Sequence, residues 1–290
     1  MGEWTTKAED LYAWRVMLNW LDFFFQMFYG IIEGVFAQYS LLSFSPSHHH
    51  CHMPHSPNTI HQIPLHFTNH RSHYHHVSLP LRRLTVVLDL DETLVCAYER
   101  SSLSPEIRTK AIKAGLNCFD LELECVCSEK EVEGKPIISY VTVFERPGLK
   151  EFLRQLSEFA DMVLFTAGLE GYASPVTDRI DRENRFRLRL YRSSTTNTEY
   201  KEHVKDLSSI TNDLCRIVIV DNNPFSFLLQ PENGIPCISF SVGKPHDTQL
   251  IDVILPLLKY LSYQKDVRDV LREKYKMPEW FQQQGILTYS

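Results

Sequence analysis

Hydrophobic and polar positions divide this chain of 290 residues into three stretches. In the first, apolar side chains recur at Leu11, Trp14, Leu18, Leu21, Phe25, Phe28, Ile32, Val35 and Tyr39. The spacing alternates between three and four, which is the period of a helix. Arg15, Asn19, Asp22, Gln26 and Glu33 form a narrow polar stripe opposite, and Trp20, Phe23, Phe24 and Met27 widen the apolar face. Between 45 and 80 the periodicity disappears. Histidine, serine and proline dominate there, and Pro46, Pro54, Pro57 and Pro64 interrupt any regular element. From 81 to 290, short apolar runs alternate with helical patterns, which predicts an α/β domain.

Within that domain, Leu84–Leu88 is rich in β-branched residues and reads as a buried parallel strand. Leu121–Cys127 and Ile137–Phe144 alternate like an antiparallel hairpin around the polar stretch Glu129–Lys135. A helical stretch is predicted near Pro105–Ala114. Arg146-Pro147-Gly148 opens a helix reaching Phe159. Met162–Phe165, Leu188–Tyr191, Ile217–Val220 and Ile235–Phe240 are predicted strands. Tyr172–Ile180, Asp247–Tyr263 and Val267–Tyr275 are predicted helices. The expected architecture is a Rossmann-like, three-layer parallel sheet with a small antiparallel insert and no room for a large cap.

The N-terminal helix carries a charge-free stretch only from Asp22 to Glu33, about half of the ~20 residues a membrane span needs. A helix lying in a membrane surface, packing against a protein partner or the chain's own domain, and a true span are the three readings of residues 11–43. The tract 45–80 reads as a flexible linker, with metal binding by its histidines the other reading. A net charge of −6 argues against direct nucleic-acid binding. The seven cysteines are scattered, with only Cys125-Val126-Cys127 close together, which suits reduced thiols in a cytosolic or nuclear setting. The N-terminus lacks the pattern of a secretory signal.

Candidate chemistry gathers at strand ends, where open α/β sheets bind ligands. The first strand runs into Asp89-Leu90-Asp91-Glu92-Thr93. Met162–Phe165 runs into Thr166-Ala167-Gly168, and Ile217–Val220 into Asp221-Asn222. Lys205 lies in the loop between. Two carboxylates after one strand can hold Mg²⁺, and one of them can attack phosphorus. Six arginines between Arg179 and Arg192 suit phosphate or acidic partners, although a solvated face is the plainer reading.

The segments Val87–Val95, Arg146-Pro147-Gly148, Leu164-Phe165-Thr166-Ala167, Tyr172-Ala173, Val204–Ser208 and Ile219–Asn222 resemble the haloacid dehalogenase superfamily of phosphohydrolases. More narrowly, they resemble the small phosphatases of the RNA polymerase II C-terminal domain and their nuclear-envelope relatives. The resemblance covers about residues 82–265. It implies Asp89 as nucleophile, forming an aspartyl-phosphate, and Asp91 as the acid and then the base. Thr166 and Lys205 would bind the transferring phosphoryl group. Mg²⁺ would be held by Asp89, Asn222 and the backbone carbonyl of Asp91, with Asp221 and Thr93 behind them. Arg192 would hold the substrate peptide, although the loop from Arg192 to Lys205 departs from the usual pattern. The resemblance further implies a phosphorylated protein substrate and a cytosol-facing place in the nucleus or at the endoplasmic reticulum and nuclear-envelope membrane. A polypeptide-binding subunit of a membrane translocase and a small-metabolite phosphatase are the competing expectations.

Overall fold

The computed structural model describes residues 82–125 and 137–286. The aromatic segment 1–44, the His-rich tract 45–80 and the stretch 129–135 lie outside the described residues, and with them the proposed division of the N-terminal half.

Among the described residues, eight strands form two sheets. The larger is parallel throughout. It contains β1 (Leu84–Leu88), β5 (Ala160–Phe165), β6 (Phe186–Leu190), β7 (Ile217–Asp221) and β8 (Gly234–Pro236), in the order β6-β5-β1-β7-β8. β1 is central, with Leu88 opposite Leu164 on one side and Val220 on the other. Successive side chains of a strand point to opposite faces. Leu84, Val86, Leu88, Met162, Leu164, Val218 and Val220 therefore share one buried face, and Val87, Val163, Phe165, Ile217 and Ile219 share the other.

Helices cover both faces. On the first face lie α2 (Leu149–Phe159), α3 (Glu170–Ile180) and α4 (Leu255–Ser262), through Phe152, Leu156, Val176 and Leu258 among others. α5 (Arg268–Tyr275) joins them through Leu271. On the second lie Leu207, Phe227 and Phe281, the last from α6 (Met277–Gln283). This is the three-layer arrangement that the apolar runs predict. Each fully buried side chain of this kind contributes about 1.5–3 kcal/mol of transfer free energy.

The insert between β1 and α2 is an antiparallel sheet of three strands, not a two-stranded hairpin. β2 (Val95–Glu99), β4 (Ile137–Glu145) and β3 (Cys118–Cys125) lie in the order β2-β4-β3. α1 (Pro105–Lys113) is started by Ser104, whose hydroxyl accepts from the Glu106 amide at 3.3 Å, and by Pro105 in its first turn. β2 follows the Asp89–Thr93 segment directly, so its pattern was hidden behind the motif.

Two further differences have local causes. The expected strand Ile235–Phe240 ends at Pro236. The Cys237 amide closes the ladder on the Asp221 carbonyl, after which the chain leaves β7 and the Phe240 amide donates to the Glu92 carbonyl in the loop after β1. The helix predicted from Asp247 begins at Leu250 with a wider turn, Leu250–Ile254, in which the Leu255 amide reaches the Leu250 carbonyl. Pro256, which has no amide hydrogen, is accommodated at the start of α4. α6, not anticipated, starts after a left-handed Lys276 (φ +49°).

Arg146 ties the insert to the rest. Its buried guanidinium forms two hydrogen bonds to Asp247, each of 2.8 Å, and also donates to the carbonyls of Thr93 (3.0 Å) and Ile238 (2.9 Å) and to Gln249 Oε1 (2.9 Å). Asp247 is nearly as buried as its partner. Among the described residues, no helix is long and apolar enough to cross a membrane. Arg146→Ala leaves the Asp247 carboxylate buried and unpaired, and is expected to cost about 3–5 kcal/mol in urea unfolding. A loss below about 1 kcal/mol would mean that this network is not the brace described.

Candidate active site

The site grows from the carboxyl end of β1. The Asp89 amide donates to the Val220 carbonyl at 3.1 Å, continuing the ladder one step beyond β1. That step carries Asp89 to the level of Asp221, the last residue of β7. The chain then turns through Leu90 and Asp91 to Glu92, whose φ of +60° lies in the left-handed region that costs a residue with a Cβ about 1 kcal/mol or more. The turn is closed by the Glu92 amide on the Val95 carbonyl (2.7 Å) and by the Leu94 amide on the Leu90 carbonyl (2.9 Å).

Lys205 is 1% exposed and reaches this point from its loop. Its Nζ donates to Asp89 Oδ1 at 2.5 Å and to Asp221 Oδ2 at 2.6 Å. Its amide donates to the Ser226 carbonyl at 2.7 Å, which fixes the backbone behind the ammonium. Burial works to lower the Lys205 ammonium, but the attraction of Asp221 and then of Asp89 outweighs it, so the net shift is upward and the group stays charged.

Asp91 faces a different environment. Its Oδ1 accepts from the Tyr172 hydroxyl at 2.5 Å. Burial pushes its carboxyl up to about 6, against the lowering effect of that hydrogen bond, and the nearby Asp89 adds to the rise. Tyr172 lies in the first turn of α3, and its own hydroxyl is pushed well above its ordinary range by burial and then by the charge of Asp91.

Thr93 joins two loops. Its Oγ1 donates to Asn222 Oδ1 at 3.3 Å and accepts from the Asn222 amide at 3.2 Å. Asn222 Nδ2 donates to Glu92 Oε2 (3.1 Å) and Ser239 Oγ (3.0 Å). Thr166, buried after β5, accepts the Gly168 amide on its Oγ1 at 2.9 Å. Arg192 is exposed, and its Nε donates to the Ala167 carbonyl at 2.7 Å in the same turn.

The ends of β1, β5 and β7 thus carry Asp89, Asp91, Thr93, Thr166, Asp221 and Asn222. Lys205 bridges two of them, and Arg192 stands against the β5 loop. Tyr172 was missed as a site residue. The signal available in the sequence was its place, six residues after Thr166 at a strand-to-helix junction facing the crevice.

Four other arginines of the 179–192 run are occupied. Arg187 pairs with Asp161 at 2.6 Å, Arg189 with Asp178 at 2.5 Å and Arg185 with Glu183 at 2.5 Å, while Arg179 stacks over the Phe119 ring.

The donor set suits a hard divalent cation. Asp89 and Asp221 share one ammonium, which leaves a net negative charge. Among the described residues none donates to Asp89 Oδ2. Carboxylate, amide and backbone carbonyl oxygens are the ligands Mg²⁺ prefers, with water completing its shell. Among the described residues, no group of three or more His, Cys, Asp or Glu side chains could hold a metal ion.

Residues 84–268 match the NLI interacting factor-like phosphatase family, and the chain belongs to it. The human carboxy-terminal domain RNA polymerase II polypeptide A small phosphatase 1 is 38% identical over 191 residues, 66% of this chain and 64% of its own length. The CTD nuclear envelope phosphatase 1 homolog of Caenorhabditis elegans is 31% identical over 276 residues, 95% of this chain and 97% of its own. The chain therefore spans just under two thirds of the human relative and nearly all of the nematode one. Among solved structures, Fcp1, an essential RNA polymerase II CTD phosphatase, is 18% identical with a TM-score of 0.43, covering 70% of this chain and 65% of that one.

The raised Asp91 carboxyl has a consequence for stability. Its proton is retained in the folded chain but lost in the unfolded chain as pH climbs from about 4 to about 6, so wild-type stability falls across that window. Asp91→Asn removes this slope. In metal-free buffer the variant should gain about 1–3 kcal/mol over wild type by pH 7, and little at pH 3. Parallel urea-unfolding curves from pH 3 to 7 would contradict the assignment.

Proposed function

We propose that this chain is a Mg²⁺-dependent protein phosphatase that hydrolyses phosphoserine and phosphothreonine through an aspartyl-phosphate on Asp89. The observation that carries this reading is the contrast between two carboxylates two residues apart. Asp89 is ion-paired with Lys205, whereas Asp91 is hydrogen-bonded to a phenol and driven toward its neutral form. Carboxyl groups with separated environments are how one site provides both a nucleophile and an acid.

In the first step an Asp89 oxygen attacks phosphorus and the bond to the serine or threonine oxygen breaks. Asp91 gives its proton to that departing oxygen. In the second step water attacks phosphorus, its proton goes to Asp91, and the bond to Asp89 breaks. Lys205 and the hydroxyl of Thr166 offset the negative charge on the transferring group. Asp89, Asn222 and the Asp91 carbonyl would hold Mg²⁺, which would supply further positive charge and reduce repulsion between the carboxylate and the incoming phosphate.

Arg192, on the exposed rim, is assigned to the substrate peptide. The three-stranded insert is small, which supports a site open to a protein chain rather than one closed over a metabolite. Retention of the whole set Asp89, Asp91, Thr166, Lys205 and Asn222 supports an enzyme over a polypeptide-binding subunit. The names of the human and nematode relatives support a substrate such as the RNA polymerase II C-terminal domain or a membrane-associated regulator, and a place in the nucleus or at its envelope. Residues 11–43, by their sequence pattern alone, are assigned to a membrane surface, with a regulatory subunit the competing occupant.

Asp89→Asn, nearly isosteric, should lower hydrolysis of a phosphoserine peptide by at least about a thousandfold in a chain that still folds cooperatively. EDTA should stop wild-type turnover and added Mg²⁺ restore it. Full activity in the variant removes Asp89 from the attacking role, and unchanged rates in EDTA remove the metal. Deleting residues 1–44 should release the protein from phospholipid vesicles in flotation; continued co-flotation of the shortened chain would contradict the membrane assignment.

A further inference from the structure

Tyr172 belongs to the helical pattern of α3 by sequence, yet its hydroxyl leaves the helix to meet a carboxylate 81 residues away. Several features hold it there. Its amide donates to the Leu169 carbonyl at 3.1 Å, as does the next amide, Ala173, at 2.8 Å, so the first turn of α3 fixes its backbone. Ala173 behind it is fully buried. The ring lies close against the Thr166–Gly168 turn, where a Cβ built on Gly168 would sit 3.4 Å from Tyr172 Cδ1 and 3.2 Å from Thr166 Oγ1. The phenol therefore has a fixed origin, and its 2.5 Å hydrogen bond has a fixed direction.

A phenol that stays protonated is a donor to Asp91 Oδ1. With Oδ1 occupied as an acceptor, the proton of the neutral carboxylic acid belongs on Oδ2. The hydrogen bond also limits rotation of the carboxyl group about its terminal torsion, which is otherwise broad. Both effects matter most when a poor leaving group must receive a proton at the moment its bond to phosphorus breaks.

We propose that Tyr172 is a positioning residue that aims Asp91 Oδ2 at the leaving oxygen, and so adapts this site to the alkoxide leaving groups of phosphoserine and phosphothreonine. The proposal rests on the phosphatase reading above. Proton delivery is needed for a serine alkoxide and for an unactivated phenol, and is nearly dispensable for 4-nitrophenolate. Loss of aim should therefore act in proportion to leaving-group basicity.

The experiment measures kcat/KM of the full chain with Mg²⁺ on a series of phenyl phosphates of graded leaving-group acidity and on a phosphoserine peptide. Wild type, Tyr172→Phe and Asp91→Asn are compared. Phenylalanine keeps the ring and its packing. The slope of log kcat/KM against leaving-group pKa is a ratio within one preparation, so any unfolded fraction cancels. Tyr172→Phe should lose about tenfold or more on the phosphoserine peptide and on phenyl phosphate, and less than about threefold on 4-nitrophenyl phosphate, a fraction of what a positioned acid contributes. Its slope should become steeper, toward that of Asp91→Asn. An equal loss on every substrate, or no loss on any, overturns the proposal. If Asp91→Asn itself keeps the wild-type slope, the phosphatase mechanism fails first. If Asp91→Asn steepens the slope and Tyr172→Phe does not, only the role of Tyr172 falls.

Discussion

One buried ammonium organises the crevice. Lys205 lies between Asp89 and Asp221, and without it two carboxylates would face each other across the ends of neighbouring strands in a region nearly closed to water. An uncompensated buried charge of this kind costs several kcal/mol. The parallel sheet makes the arrangement possible, because Leu88 of β1 pairs with Val220 of β7 and the next residue of each chain segment is an acid, Asp89 and Asp221. The lysine comes from a loop that itself crosses no strand, anchored by a backbone bond to Ser226. Charge balance and topology are therefore a single constraint.

A second buried cation holds the opposite side. Arg146 stands where β4 gives way to α2, and it grips Asp247, Gln249 and two carbonyls at once. One of those carbonyls belongs to Thr93, whose hydroxyl contacts Asn222. The loop after β1 is thus fixed from below by an ion pair and from the side by the loop after β7. A left-handed Glu92 can persist there because so many neighbours determine its position.

Much of this was legible in the sequence, and the reasons differ by element. The central strands are short apolar runs with acids at their ends, so β1 and β7 and their candidate residues could be placed by pattern alone. β2 could not, because it is continuous with the aspartate segment and offers no turn to mark its start. The Ile235–Phe240 run is apolar enough for a strand, but past Cys237 its amides turn to Gln249 and to the Glu92 carbonyl instead of β7. Contacts such as Arg146 to Asp247 and Tyr172 to Asp91 span 101 and 81 residues. No local period encodes them; they appear only once the sheet has set the distance between loops.

The arginine-rich stretch from α3 through β6 looks from composition like an anion-binding band. In the folded chain Arg185, Arg187 and Arg189 are each matched to a nearby acid. With a net charge of −6 over its 290 residues, the chain has little long-range pull on a polyanion. On the proposed function, capture would then depend on encounter at close quarters, within a Debye length of Arg192 and the crevice. For such a protein, residence beside its substrate on a shared scaffold would govern throughput more than diffusion from afar.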